Sequence, residues 1–228
     1  MRRSGLLFPL SLPVLLVLGL ALAVMTGLLQ LGTLEYVYER IGIGHEWLLA
    51  LLGLSIVTST VNLPVARMRS SALLGPQVVR VYGVPYMVPA TRERRVTVVA
   101  VNVGGALVPA GLAALLIARE HLGVRAVLAV AVVALVCLVL ARPVAGVGIV
   151  LPGLVPPVVA ALVALAISEQ LAPALAYVGG VLGTLIGADL LNLPRIRRLG
   201  APVASIGGAG TFDGIFLSGL LAVLIAAL

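Results

Sequence analysis

The chain has 228 residues, of which 61% are hydrophobic and only 10% are charged, and its mean hydropathy is +1.23. This composition excludes a water-soluble globule with one buried core and indicates a polytopic membrane protein. The net charge of +7 comes from fifteen arginines and no lysine. Because the arginines cluster in connecting segments, they indicate membrane orientation and contacts with anionic lipid headgroups, and they do not indicate a nucleic-acid partner.

The first predicted element is an uncleaved helix that ends near Leu31. Arg2 and Arg3 resemble the start of a secretory signal, but the apolar run after them exceeds the roughly 7–15 residues of a signal peptide. The sequence therefore predicts an all-α transmembrane helix bundle of about seven spans, forming a single transmembrane domain over 1–228. The six later predicted spans are 46–66, 96–118, 124–141, 147–168, 171–193 and 211–228.

The start of the fifth predicted span is irregular. Residues 142–157 contain Pro152, Pro156 and Pro157 together with several glycines. This pattern predicts a broken or re-entrant segment, which is tolerable in a membrane only where protein shields the freed backbone groups.

The loop charges predict the orientation of the chain. The basic loop 67–95 holds six arginines and one glutamate, and the last predicted loop holds Arg195, Arg197 and Arg198. Because cytoplasmic loops carry the arginine excess, we expect both loops and the amino terminus to be cytoplasmic and the carboxy terminus to lie outside. The expected location is the prokaryotic cytoplasmic (inner) membrane.

Asp189 and Asp213 are the only two aspartates, and each lies in an apolar stretch of membrane length. An ionisable residue inside a span is a functional-site hypothesis by default. The predicted topology places both carboxyls several Å below the cytoplasmic surface at similar depth, so the two could meet. In the simpler interpretation, Asp213 stabilises the start of its own helix and Asp189 forms a structural salt bridge with Arg142, Arg195 or Arg197.

Two stretches of the sequence are repeated. Asn-Leu-Pro followed by arginines occurs at 62–64 and 192–194, and Val/Ile-Gly-Gly-Ala occurs at 103–106 and 206–209. Helices two and three thus resemble helices six and seven, which indicates a parallel repeat as in some transporters. In this alignment Ser59 stands where the second copy has Asp189. The residues expected to bind substrate are Asn62, Asn102, Asn192, Gly207, Gly208, Gly210 and Thr211.

These binding candidates also have plainer interpretations. The three asparagines are typical of interhelical hydrogen bonds, the glycines of close helix packing, and Thr211 of a helix N-cap. His45 and His121 lie in predicted loops and Cys137 lies in mid-span, so we expect no metal site, cofactor or internal disulfide. Tyr82 and Tyr86 are expected at the membrane interface, with a short hairpin that pairs with an extended substrate as the alternative.

Two resemblances rest on these residues. The pattern "NLP … NVGGALVP … GADLLNL … GAGTFDGIFL" resembles a prokaryotic integral-membrane family of unknown function and covers most of the chain. That resemblance implies no activity. The two aspartates in helices six and seven, with Gly-x-Gly before the second, also resemble the presenilin and signal peptide peptidase group of intramembrane aspartyl proteases.

The chain departs from that protease group in three places. Ala188 stands where the group has a tyrosine, and Thr211 and Phe212 separate the Gly-x-Gly from Asp213. A Pro-Ala-Leu sequence at 173–175 precedes both aspartates, whereas the group has this motif after the second one.

The sequence leaves three functions open. In an aspartyl protease, two carboxyls in a low dielectric cannot both be ionised, so one would activate water while the other polarised the peptide carbonyl of a transmembrane substrate. In a small transporter or channel, the same acids and asparagines would bind a cation, a proton or a small solute. In a structural membrane subunit, the acids would only pair with arginine.

Overall fold

The computed structural model describes residues 41–42, 44–69, 77–81, 84–88, 96–144, 148–196, 203–208 and 212–226, together with residues 23 and 27. This part of the chain is mostly helical. Its helices are α1 His45–Thr58, α2 Val108–Arg119, α3 Gly123–Leu140, α4 Val155–Ile167, α5 Ala172–Thr184, α6 Leu193–Ile196 and α7 Phe212–Ala226. Two π-helical segments adjoin α2 and α5, namely Val103–Leu107 before α2 and Leu185–Leu190 after α5.

Seven strands accompany the helices. They are β1 Asn62–Arg69, β2 Gln77–Val81, β3 Val84–Val88, β4 Val96–Asn102, β5 Arg142–Val144, β6 Gly148–Val150 and β7 Val203–Ile206. Strands β1, β4 and β7 form one sheet in that order, with β1 antiparallel and β7 parallel to the central β4. The expectation of an all-α fold is therefore wrong, since a sheet is present.

The sheet occupies residues that we predicted to be helical. The run Val96–Asn102 was predicted as the start of the third span, and 62–66 as the end of the second. Valine and threonine fill most of β4, and β-branched side chains favour extended backbone. A short apolar run does not by itself distinguish a strand from a helix.

Two helices among the described residues are long and apolar enough to cross a membrane, Gly123–Leu140 and Ala172–Leu190. Only 28% of the first is buried inside the protein, compared with 78% of the second. Helix α5, which begins the second, is therefore the centre of the bundle, and α3 lies at its periphery. The first predicted span, apart from residues 23 and 27, lies outside the described residues.

Small residues let the neighbouring helices approach α5 closely. A Cβ at Gly183 would lie 2.6 Å from the Cβ of Val133, and one at Gly187 would lie 2.2 Å from the carbonyl oxygen of Ala134 in α3. On another side of α5, a Cβ at Gly180 would lie 2.9 Å from the carbonyl oxygen of Ser218 in α7. Small residues at such contacts are typical of helix packing in membranes.

Two hairpins occupy connecting segments. Strands β2 and β3 pair antiparallel, so a short hairpin forms where we expected Tyr82 and Tyr86 at a membrane interface; Tyr82 itself lies outside the described residues. Strands β5 and β6 form the second hairpin. Helix α4 begins only at Val155, with Pro156 and Pro157 in its first turn, where a missing backbone N–H is tolerated. The break predicted before the fifth span is present.

Candidate functional site

Asn102, at the end of β4, is the buried centre of a hydrogen-bond network. Its side chain is 1% exposed. Its Nδ2 donates to the carbonyl oxygen of Ser59 at 2.6 Å and to Oδ1 of Asn62 at 3.1 Å, and its Oδ1 accepts from the N–H of Gly105 at 2.7 Å. This one side chain therefore ties the end of α1, the start of β1 and the first π-helical segment together.

Asn62 connects this network to the third strand of the sheet. The Oγ of Ser205, in β7, donates to Oδ1 of Asn62. Gly208 lies three residues after Ser205, and a Cβ there would lie 2.2 Å from Oγ of Ser205 and 3.0 Å from Oδ1 of Asn62. A Cβ at position 208 would therefore require the Ser205 and Asn62 side chains to shift.

Asp189 lies in the second π-helical segment and is 4% exposed. Its Oδ2 accepts a hydrogen bond of 2.9 Å from the backbone N–H of Gly207. A buried carboxyl needs such a donor, because an unpaired buried charge is very costly. Gly207 has φ +68°, a backbone conformation that favours glycine.

Gly207 also connects Asp189 to the network around Asn102. A Cβ at Gly105 would lie 1.8 Å from the carbonyl oxygen of Gly207, and one at Gly207 would lie 2.6 Å from the Cβ of Ala106. The two Gly-Gly-Ala stretches of the sequence therefore touch backbone to backbone at this point. We call the group formed by Asn62, Asn102, Asp189, Ser205, Gly207 and Gly208 the polar junction.

Five of the nine predicted site residues meet in the polar junction, namely Asn62, Asn102, Asp189, Gly207 and Gly208. Asn192 donates from Nδ2 to the carbonyl oxygen of Gly187 at 2.9 Å and accepts at Oδ1 from Nη1 of Arg195 at 2.8 Å, so it holds the end of the second π-helical segment. Asp213 lies in the first turn of α7. Gly210 and Thr211 lie outside the described residues, as does Arg197.

Sequence reasoning missed Ser205 and Ser55 as parts of this region. Ser55 donates from Oγ to the carbonyl oxygen of Gly104, and Ser205 binds Asn62. The repeat carries the signal for Ser205, because Ser205 aligns with Asn102 in the two Gly-Gly-Ala stretches. For Ser55, the signal is a hydroxyl residue within an apolar predicted span. The residue is buried in the structure, and a buried hydroxyl needs a partner.

The chemistry available at the polar junction is that of one buried carboxyl with neutral hydrogen-bonding groups around it. Within the described residues no group of three histidine, cysteine, aspartate or glutamate side chains is placed to hold a metal ion. The junction also combines irregular helix with the end of a sheet, and π-helical segments of this kind occur frequently at functional sites.

Fold and site together define a mostly helical protein with two helices able to span a membrane and a polar junction that includes the buried Asp189. The sequence profile of a family described as "Protein of unknown function (DUF1614)" matches residues 56–225, which is most of the chain. The chain belongs to this family, and the resemblance to a family of unknown function is thereby confirmed. Comparison with curated proteins finds no match, and comparison with solved structures finds none.

Proposed function

We propose that the chain is a multi-pass protein of the prokaryotic cytoplasmic membrane in which Asp189 and Asp213 act together on a transmembrane peptide, as in intramembrane aspartyl proteases. The observation that carries this proposal is the packing of α5 against α7. Asp189 lies in the π-helical segment that extends α5, and Asp213 lies in the first turn of α7. The register of the two helices therefore determines whether the aspartates lie at one level.

The two helices are antiparallel. Gly207, which lies just before α7 in the chain, contacts Asp189 just after α5. Gly180 of α5 lies against Ser218 of α7, so five residues back along α7 to Asp213 correspond to five residues forward to Leu185, which directly follows the end of α5. Leu185 precedes Asp189 by four residues, or about 6 Å along a helix. This register supports a location of both aspartates near the same end of the helix pair.

The hydrogen bond between Gly207 and Asp189 supports the same arrangement. It fixes the position of Gly207, six residues before Asp213. The conformation of this glycine and its contact with Gly105 leave it little freedom to move. In this proposal the Gly-Gly stretch positions Asp189 relative to the start of α7, because the space beside Gly207 and Gly208 is filled by the chain's own atoms.

The proposed chemistry follows from two carboxyls in a low dielectric. Only one of a close pair is ionised, and it acts as the general base on a water molecule. The protonated partner polarises the peptide carbonyl as the tetrahedral intermediate forms. The basic loop 67–95 contacts anionic headgroups on the cytoplasmic side of the membrane in this proposal.

A transition-state analogue tests this function without knowledge of the substrate. A peptide with a hydroxyethylene group in place of the scissile bond, carrying a photoreactive label, is expected to label the protein in vesicles, because analogues of the transition state bind more tightly than substrates. Labelling is expected to be lost in Asp189→Asn and in Asp213→Asn and retained in Glu169→Gln, a change at an exposed acid between α4 and α5. Labelling that persists in either aspartate variant, or that is absent from the unsubstituted protein, contradicts the proposal.

A second candidate function is transport of a cation, a proton or a small solute. The observation that favours it is that Gly207 contacts two π-helical segments, Val103–Leu107 through Gly105 and Leu185–Leu190 through Asp189. Interrupted helices that meet at the interface of two repeats form the substrate sites of many transporters. Ion flux into vesicles that is lost in Asp189→Asn and retained in Asp213→Asn supports transport and excludes the two-aspartate mechanism.

A further inference from the structure

An apolar cavity lies between α1 and α2, away from the polar junction. Its volume is about 540 Å³. It extends along α2 from Leu107 to Arg119, a distance of about 18 Å along the helix axis. Most of its lining is apolar, and the lining includes Trp47, Leu54, Leu115 and Arg119.

The cavity has one charged end. Arg119, the last residue of α2, donates from Nη1 to the carbonyl oxygen of Gly42, and its Nε lies 3.7 Å from Oε1 of Glu120. A guanidinium has five N–H donors, so these two contacts leave donors for a further acceptor. The Arg119 side chain is 54% exposed and is therefore accessible at the mouth of the cavity.

The only tryptophan of the chain, Trp47, lines the same cavity and is 72% exposed. An exposed tryptophan and an arginine at one end of an apolar surface are typical of the membrane–water interface. Further along the cavity, Leu54 and Leu115 are about half exposed. The cavity thus begins with a cation and an aromatic ring and continues with aliphatic side chains.

We propose that this cavity is a binding site for an anionic lipid of the bilayer, with the headgroup phosphate on Arg119 and one acyl chain along the groove between α1 and α2. Arginine suits a phosphate because its planar guanidinium can donate two parallel hydrogen bonds. The rest of the lining is mostly apolar and suits an acyl chain. This proposal depends on the proposed membrane location and on neither candidate activity.

Charge complementarity distinguishes an anionic lipid from the other occupants of such a groove. A zwitterionic lipid would bring a positive group close to Arg119, which reduces the gain from its phosphate. A second copy of the chain would have to cover the groove with an apolar surface and would not need Arg119. The dependence of binding on this arginine is therefore the property to measure.

The single tryptophan makes the test specific. Bromine atoms on lipid acyl chains quench tryptophan fluorescence on contact, so the emission of Trp47 reports on lipid in this cavity. The protein is placed in phosphatidylcholine vesicles that contain a minor fraction of brominated phosphatidylglycerol or, in parallel, the same fraction of brominated phosphatidylcholine. We expect several-fold more quenching by the brominated anionic lipid than by the brominated zwitterionic lipid.

Two variants test whether the excess quenching by the anionic lipid depends on Arg119. Arg119→Gln is expected to reduce the quenching by phosphatidylglycerol to that of phosphatidylcholine, and the quenching that remains shows that Trp47 still faces lipid. Arg125→Gln, a change at an exposed arginine in the first turn of α3, is expected to retain the excess. Equal quenching by both lipids in the unsubstituted protein, an excess that survives in Arg119→Gln, or no quenching by either lipid overturns the proposal.

Discussion

The carboxyl of Asp189 and the backbone N–H of Gly207 are joined by a hydrogen bond of 2.9 Å between residues eighteen positions apart. Asp189 lies in the segment that extends the central helix α5, and Gly207 follows the edge strand β7 and precedes α7. This contact therefore holds together the helix bundle and the sheet. It also shows that Asp189 has a structural role, and any chemical role must be separated from it by experiment.

Replacement of Asp189 separates the two roles. Asp189→Leu leaves the buried N–H of Gly207 without an acceptor, so the free energy of unfolding in mild detergent is expected to fall by about 1–3 kcal/mol. Asp189→Asn keeps a carbonyl oxygen as the acceptor and is expected to cost less than about 1 kcal/mol. Equal stability of the two variants would show that the hydrogen bond does not contribute to folding.

Because Gly105 contacts Gly207 closely, we expect one added methyl group at position 105 to lower the stability of the protein strongly. Gly105→Ala places a Cβ 1.8 Å from a backbone carbonyl oxygen, which the chain can relieve only by moving one backbone away from the other. We expect a loss of about 3 kcal/mol or more, or failure to fold. Gly53→Ala is the control, because nothing lies within 4 Å of a Cβ there, and it is expected to stabilise α1 by about 0.5–1 kcal/mol. Similar melting temperatures for the two variants would contradict this packing.

Asn102 is expected to contribute more to stability than other polar residues nearby. Asn102→Ala removes three hydrogen bonds at a buried position, with an expected cost of about 2–4 kcal/mol in the free energy of unfolding. In a double-mutant cycle with Asn62→Ala, the two changes are expected to be non-additive by about 0.5–3 kcal/mol, because their side chains contact each other.

Thr60 provides the control for this cycle. Its side chain is exposed and donates only to the carbonyl oxygen of Val57, so Thr60→Val is expected to change stability by less than about 0.5 kcal/mol. Additive effects of the Asn62 and Asn102 changes would mean that the two amides do not interact.

Cross-linking tests the register of α5 against α7. In a Cys137→Ala background, which removes the only native cysteine, cysteines at Leu185 and Asp213 are expected to be joined by a short bifunctional maleimide. Cysteines at Leu185 and Leu224 are the control, because Leu224 lies eleven residues, or about 16 Å, further along α7. Cross-linking of the control pair in preference to the first pair would contradict the antiparallel register and with it the proposed aspartate pair.

The helices were predictable where the apolar run is continuous. Residues 124–141 were predicted as a span and α3 is Gly123–Leu140; residues 171–193 were predicted and the helical segment is Ala172–Leu190. An apolar run of this length favours a helix over a strand, because it is longer than most strands and a helix satisfies all of its backbone groups locally. The first predicted span and the total of about seven spans remain predictions.

The sheet was not predictable in the same way. Strand β4 pairs with β7, and Val98 and Val203 are partners although more than a hundred residues separate them. A strand acquires its hydrogen bonds only from such distant partners, so an apolar run such as Val96–Asn102 does not reveal them locally. The repeat nevertheless indicated that the two Gly-Gly-Ala stretches are related, and the structure places them in contact.

Part of the predicted site is present in the structure, and the physical reason is the need of buried polar groups for partners. Asn62, Gly207 and Gly208 lie within the sequence repeat, and Asn102 directly precedes one copy of it. Polar groups in an apolar chain must find one another to be satisfied. Asn192 instead donates to the carbonyl oxygen of Gly187 and so caps the backbone of its own segment. Its position directly after a helix end also allows this role. The cavity at Arg119 had no sequence signal, because α1 and α2 are brought together only by the fold.

The most direct test of the proposed aspartate pair is the separation of the carboxyl groups of Asp189 and Asp213 in an experimental structure determined in a lipid bilayer. The proposal predicts carboxyl oxygens that face each other about 3 Å apart or across a single water molecule, with Gly207 still bonded to Asp189. An Asp213 side chain that turns back onto the first turn of α7, or an arginine between the two carboxyls, would contradict it.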